Sequence, residues 1–167
     1  WFDDHFQNMR RYAHMASAGS VVGTRGNGRI SSGFGGRRVK LDYRPHPDDL
    51  ARLTAGLEMI GAAFLEAGAL RVMPPTFRYL PIGDRAGLHA IGDTVRDNTD
   101  ITLHSSHPQG GNAISRDPKK GVVDEGFAVR GATGVYVCDA SVFPAAITVN
   151  PQLTVMALAD YAAAGID

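Results

Sequence analysis

The spacing of hydrophobic residues predicts three helices in the first part of the chain. Apolar side chains recur every three or four positions over residues 1–17, 50–67 and 86–96, which is the period of one helix face. The middle stretch has the most regular pattern, since Asp48 and Asp49 occupy its first turn, where the helix dipole favours negative charge. We expect this stretch to form a long helix that ends at Gly68.

Alternating apolar and polar residues predict short antiparallel strands between these helices. Residues 20–24 and Ile30 are predicted as strands on either side of a turn at 25–29, because Asn-Gly tolerates the positive φ of a tight hairpin. Val39 and Leu41 alternate with charged residues, which is typical of a strand that packs one face on a core. Further short strands are predicted at 71–72 and 78–82, an extended piece at 101–104, and a hairpin of 122–124 with 127–129.

The last part of the chain predicts a strand, a loop and a capped helix. A β-branched run at 135–137 stops at Asp139, and a loop then leads to Asn150 and Pro151. Asn is a favoured N-cap and Pro is favoured at the first helical position, so we expect a helix over 152–164. The free N–H groups of its first turn point back past Asn150 and form a surface that suits an anion.

Composition restricts the partners of the chain. It has 17 basic and 17 acidic residues, so nucleic acid and acidic membrane surfaces are not expected partners.

The single cysteine, Cys138, has no internal disulfide partner and lies in an apolar pattern, which favours a buried structural role. Neither a membrane-spanning run nor a signal peptide is found, which favours a soluble, cytoplasmic protein. The missing initiator Met suggests a fragment or a processing product.

His107, in the segment SSHPQGGN at 105–112, is the strongest single candidate for chemistry. Its small neighbours leave the imidazole accessible to a ligand, and imidazole titrates near neutral pH. A lone loop histidine is nevertheless more often structural, and an N-cap Asn at position 150 needs no functional role. His104 and His107 give too few ligands for a metal ion, so no metal site is predicted.

Four motifs in a fixed order give a more specific signal than any one of them. They are His107, the VVD run ending at Asp124, the VCDAS run around Asp139 and the VNPQLTVMALA run around Asn150. Over 104–164 the chain resembles the C-terminal part of the glucose-methanol-choline (GMC) oxidoreductases, especially the branch with cholesterol oxidase and long-chain alcohol oxidases. The resemblance implies a mixed α+β / α/β fold, in which a substrate-domain antiparallel sheet with helices precedes a return strand and a final helix.

The same resemblance implies a division of the chain. Residues 1–103 would form part of a substrate-binding domain, and 104–167 would contribute to the active site and complete the FAD-binding domain. The family also has an N-terminal dinucleotide-binding unit with a G-x-G-x-x-G turn, which this sequence lacks, because the run that starts at Gly33 has Arg38 at the last Gly position. The implied partners are a small alcohol and the N-terminal FAD-binding portion, on the same or a separate chain.

Residue roles follow from the resemblance, position by position. His107 matches the family's active-site histidine, and Asn150 matches a second polar residue that is Asn in the sterol-oxidising branch. The implied reaction is FAD-dependent oxidation of an alcohol, such as a sterol or long-chain alcohol, by hydride transfer to flavin N5 with His107 as proton acceptor. The alternatives are a hydroxynitrile lyase on the same scaffold and a non-catalytic C-terminal fragment. The implied cofactor-binding residues are Asp139, Ala140, Asn150, Pro151, Gln152 and Leu153.

Overall fold

The chain folds into an α+β structure with four α-helices and one small sheet in the part that the structure describes. The computed structural model describes residues 2–25, 28–33, 36 and 38–166. These residues form two compact units: Trp1–Val22 with Pro47–Leu103, and Gly23–His46 with His104–Asp167. The elements are α1 (Phe2–Arg10), β1 (Arg29–Ser32), β2 (Val39–Asp42), α2 (Pro47–Glu66), α3 (Ala90–Thr94) and α4 (Gln152–Ala163).

The first unit is built around α2, and the prediction of this long helix is confirmed. Asp48 and Asp49 lie in its first turn, and Gly68 ends it with φ +92°. The buried residues of this helix are Asp49, Leu50, Thr54 and Gly61. At Gly61 a methyl group would stand 2.6 Å from Leu88 Cδ2, so only a glycine permits this close approach. The remaining core of the unit consists of Ile82, Leu88, Ile91, Val95 and Ile101.

Other predictions in the first unit are confirmed in part. The first helix ends at Arg10 and continues only as a 3₁₀ turn at Tyr12–His14, because its apolar side chains stay exposed and a short helix without a packed face is marginal. Residues 86–96 contain a 3₁₀ turn at Ala86–His89 followed by α3. The predicted strands at 71–72 and 78–82 meet only in a bridge between Val72 and Ile82, and no strand is found at 20–24.

The second unit contains an antiparallel hairpin that is placed differently from the prediction. β1 pairs with β2 in the register Ile30 to Leu41 and Ser32 to Val39, so the connection spans 33–38 rather than 25–29. Gly26 and Asn27, which belong to the predicted turn, lie outside the described residues. The expected buried face is wrong, because Ile30, Val39 and Leu41 are 65%, 73% and 72% exposed. A depression of about 350 Å³ at this hairpin is lined by Ile30, Ser31, Ser32, Gly36, Arg38 and Val39.

The core of the second unit joins the segments that follow residue 104. Val123 bridges both Ile114 and Val129, which confirms the predicted hairpin at 122–129, and Tyr136 pairs with Ala128. α4 packs on this core, and its Tyr161 ring meets the Phe127 ring edge-on at a centroid distance of 6.3 Å. The buried residues of this core are Val123, Phe127, Val142, Phe143 and Ala162.

In the described part of the chain, none of the helices is long and apolar enough to cross a membrane. The same residues contain no group of three or more His, Cys, Asp or Glu side chains that could hold a metal ion.

Candidate functional site

His107 lies in an exposed loop of the second unit. Its backbone N–H donates to Ser105 Oγ at 3.3 Å, which fixes the local turn. In the same loop, His104 Nε2 and Ser106 Oγ are 2.9 Å apart. The His107 imidazole has no hydrogen-bond partner among the described residues and is exposed, so both ring nitrogens remain available to a ligand.

The loop that follows His107 is bound side by side to the 3₁₀ turn at Ala140–Val142. The N–H groups of Gly110, Asn112 and Ile114 donate to the carbonyls of residues 140, 141 and 142 at 3.3, 2.9 and 2.9 Å. The Asn112 side chain adds a bond from Nδ2 to Ser141 Oγ at 3.0 Å. These four bonds hold the His107 loop and the turn after Asp139 in one arrangement.

Asp139 starts this 3₁₀ turn and caps it. Its Oδ1 accepts a hydrogen bond from the Ser141 backbone N–H at 2.8 Å. Hydrogen bonds from the Ser141 side chain and then its backbone hold the pKa of the Asp139 carboxyl below its ordinary value of 3.8, because they favour the charged form. The carboxylate is therefore ionised at neutral pH, and Ala140 behind it packs on the core.

Removal of this cap has an expected effect on stability that depends on pH. Asp139→Ala should lower the free energy of unfolding at neutral pH by about 1 kcal/mol, the usual value of a lost side-chain cap. A carboxyl with a lowered folded-state pKa stabilises above its ordinary pKa, and this contribution is lost as the pH falls through the lower folded-state value. Asp139→Asn retains an acceptor oxygen without the charge, so its loss of stability on acidification should be smaller than that of the unmodified chain. Urea unfolding at neutral and acidic pH tests this, and identical pH dependence of the two proteins would contradict it.

The start of α4 differs by one residue from the predicted cap. The N-cap is Pro151, with φ −79° and ψ −7°, and the helix has no side-chain cap bond there, so the prediction of Asn150 as N-cap is wrong. The reason is that the Pro151 carbonyl already accepts the first helical bond, from the Val155 N–H at 2.8 Å. The Asn150 amide is exposed and, within the described chain, hydrogen-bonded to nothing.

The first turn of α4 retains free donors, as the sequence leads one to expect. Within the described chain, the N–H groups of Gln152 and Leu153 donate no hydrogen bond. Both residues are exposed, whereas Pro151 is buried. Free N–H groups at the positive end of a helix dipole attract negative charge.

One further residue, Gln109, connects the His107 loop to the segment before Asn150, and the sequence pattern did not predict this role. Gln109 Oε1 accepts a hydrogen bond from the Ile147 N–H at 3.0 Å. Gln109 follows His107 by two positions, and Ile147 precedes Asn150 by three, so the predicted site residues all lie in segments joined by these bonds. The only sequence signal was a long polar side chain in a glycine-rich stretch.

Together these groups can perform a limited set of chemical tasks. The imidazole of His107 can accept a proton at a ring nitrogen, and the Asn150 amide can donate to an oxygen atom. The free N–H groups of α4 can stabilise an anion. Such a set suits the removal of a proton beside a group that gains negative charge.

Comparison with known proteins identifies relatives over most of the chain. The sequence model of the GMC oxidoreductase family matches residues 23–159. An uncharacterized GMC-type oxidoreductase of Mycobacterium tuberculosis is 34% identical over 156 residues, which cover 89% of this chain and 23% of the relative. A long-chain-alcohol oxidase of Arabidopsis thaliana is 27% identical over 169 residues, covering 93% of this chain and 22% of the oxidase. A cholesterol oxidase of Acinetobacter baumannii is 43% identical over 58 residues, which are 35% of this chain and 10% of that enzyme.

Proposed function

The chain belongs to the GMC oxidoreductase family, as its C-terminal part, and from this premise we propose that it supplies one side of the active site of an FAD-dependent alcohol oxidase or dehydrogenase. It spans less than a quarter of the length of the first relatives, so the activity belongs to a longer polypeptide or to a complex. The observation that carries the proposal is the exposed His107 imidazole, which has no hydrogen-bond partner in the described part of the chain and stands on a loop bonded to the segments of Asp139 and Asn150.

The donors in this unit suit the cofactor of the proposal. The N–H groups of Gln152 and Leu153, with Pro151 and Asn150 beside them, would hold the pyrimidine edge of FAD, which becomes negative when the flavin is reduced. Asp139 and Ala140 would lie towards its ribose and pyrophosphate. FAD, when bound, would supply the hydride acceptor for this oxidation.

The chain's own residues have complementary roles in this proposal. His107 accepts the hydroxyl proton at a ring nitrogen, which its exposure allows. Asn150 donates its amide hydrogens to the alcohol oxygen and holds it in place. An amide does not take up a proton at neutral pH, so in this scheme the proton goes to His107 rather than to Asn150.

The substrate class of the proposal is a bulky or long-chain alcohol. Its support is the nature of the relatives, which include a long-chain-alcohol oxidase and a cholesterol oxidase. The partner of the proposal is an N-terminal FAD-binding portion, on the same polypeptide or on a separate chain, because the G-x-G-x-x-G turn is not in this sequence.

Reconstitution of the complete enzyme tests the proposed function. This chain joined to, or produced with, an N-terminal FAD-binding portion should give a yellow complex whose absorbance bleaches when a long-chain alcohol or a sterol is added without oxygen. A complex that binds FAD, resists reduction by every alcohol and cleaves a cyanohydrin would support the lyase instead. Failure to form any yellow complex would support a non-catalytic fragment.

A further inference from the structure

The loop that carries Asn150 has one hydrogen bond to another segment within the described chain. This loop, residues 144–150, leads from the 3₁₀ turn at Ala140–Val142 towards α4. Its bond runs from the Ile147 N–H to Gln109 Oε1, at 3.0 Å. The positions of the other backbone groups of 144–150 are therefore determined by packing and chain connectivity alone.

The backbone on either side of Gln109 is constrained. Pro108 restricts the backbone before it, and the N–H of Gly110 after it donates to the Ala140 carbonyl at 3.3 Å. Gly110 has φ +84°, which a residue with a side chain rarely adopts. The Gln109 side chain is half-buried, so its amide oxygen faces less competition from water than a surface group would.

We propose that Gln109 is a positioning residue that sets the placement of Asn150 relative to His107. The inference rests on the proposed function, because it concerns the two groups assigned there to the alcohol. In this proposal Gln109 acts on the Asn150 loop through the hydrogen bond that its Oε1 accepts from the Ile147 N–H. Small displacements of catalytic groups reduce rates when the reacting geometry depends on their alignment.

Two substitutions at one position test this role in the complete, FAD-loaded enzyme. Gln109→Met has a similar length and no comparable acceptor, whereas Gln109→Glu retains an acceptor oxygen at the same reach. We expect faster amide hydrogen exchange over 144–150 in the Met variant and near-normal exchange in the Glu variant. The rate of flavin reduction at saturating alcohol should fall roughly threefold to tenfold in the Met variant, the factor that one lost hydrogen bond represents.

The Glu variant adds a readout that a merely structural residue would not change. Because Gln109→Glu keeps an acceptor for the Ile147 N–H, the rate of flavin reduction at saturating alcohol should stay near that of the unmodified enzyme. If the Met variant fails to fold, the Glu variant alone decides the matter, through retained exchange protection together with this near-normal rate.

The outcomes separate this inference from the proposed function. Unchanged exchange over 144–150 in the Met variant would overturn the positioning role, as would faster exchange with an unchanged rate of flavin reduction. In the Glu variant, loss of exchange protection or a rate of flavin reduction as low as in the Met variant would also overturn it. If no alcohol reduces the flavin of the unmodified enzyme, the proposed function is refuted, and so is the catalytic part of this inference. The exchange result would still establish whether Gln109 holds the loop.

Discussion

His107→Ala in the complete enzyme is expected to slow flavin reduction by alcohol roughly 10²- to 10⁴-fold, the usual contribution of a positioned general base. The imidazole has no partner in the described chain, so its removal leaves no broken network behind and FAD should stay bound. Anaerobic stopped-flow bleaching measures the rate, and the absorbance spectrum of the purified protein measures the bound FAD.

His104→Ala is the matched control for this variant. His104 is exposed in the same loop, and its bond to Ser106 joins only neighbouring residues. The control should keep most of the reduction rate. Bleaching by the His107 variant at the unmodified rate would remove the proton-acceptor role, and equal losses in both variants would show that the loop, rather than the imidazole at 107, was disturbed.

Asn150→Ala is expected to slow flavin reduction roughly 10²- to 10³-fold, in the range found when one donor to a developing charge is removed. The amide makes no hydrogen bond within the described chain, so the loss reflects its interaction with the bound alcohol and flavin rather than with the fold. The flavin midpoint potential should also move downward, because the reduced flavin loses a donor near its negative edge. Spectroelectrochemical titration measures the potential.

Val149→Ala is the control for Asn150, since Val149 is the exposed neighbour in the same loop. It should leave the potential unchanged and reduce the rate little. A normal potential in the Asn150 variant would contradict the role of the amide beside the flavin. A normal reduction rate would contradict its role at the alcohol oxygen.

The helices were the most predictable part of the fold, because their patterns are local. The period of apolar residues located α2 nearly to its ends, and the helix expected from Gln152 starts at that residue. The N-cap itself was wrong, since the choice between Asn150 and Pro151 depends on which carbonyl accepts the Val155 N–H. The residue types alone do not show which carbonyl accepts this hydrogen bond.

The strands were less predictable, because burial depends on segments far away in the sequence. The alternation at Val39 and Leu41 correctly indicated β2, but both side chains are exposed in the described structure. Alternating apolar and polar residues predict a strand with one apolar face. The pattern does not show whether another segment covers that face. Similarly, Gln109 gave no signal of its own, because its acceptor role depends on an N–H group 38 positions later.

The candidate site came from the order of four motifs rather than from any side chain alone. The structure adds the bonds among their segments, from Gly110, Asn112 and Ile114 to the turn after Asp139. Such bonds follow from tertiary packing. The sequence therefore predicted the site residues but not the hydrogen bonds that join their segments. The catalytic and cofactor roles themselves stay predictions.

The discontinuous second unit has a consequence for folding order. Its hairpin lies in Gly23–His46, while the core residues that complete the unit lie in His104–Asp167, and Pro47–Leu103 belongs to the other unit. At Gly23 a methyl group would stand 2.6 Å from Thr148 Cγ2, so the two pieces meet closely. Contacts this distant in sequence require a long loop to close, which slows folding. During synthesis, therefore, the Gly23 segment can meet the Thr148 segment only after the whole of Pro47–Leu103, which belongs to the first unit, has been made.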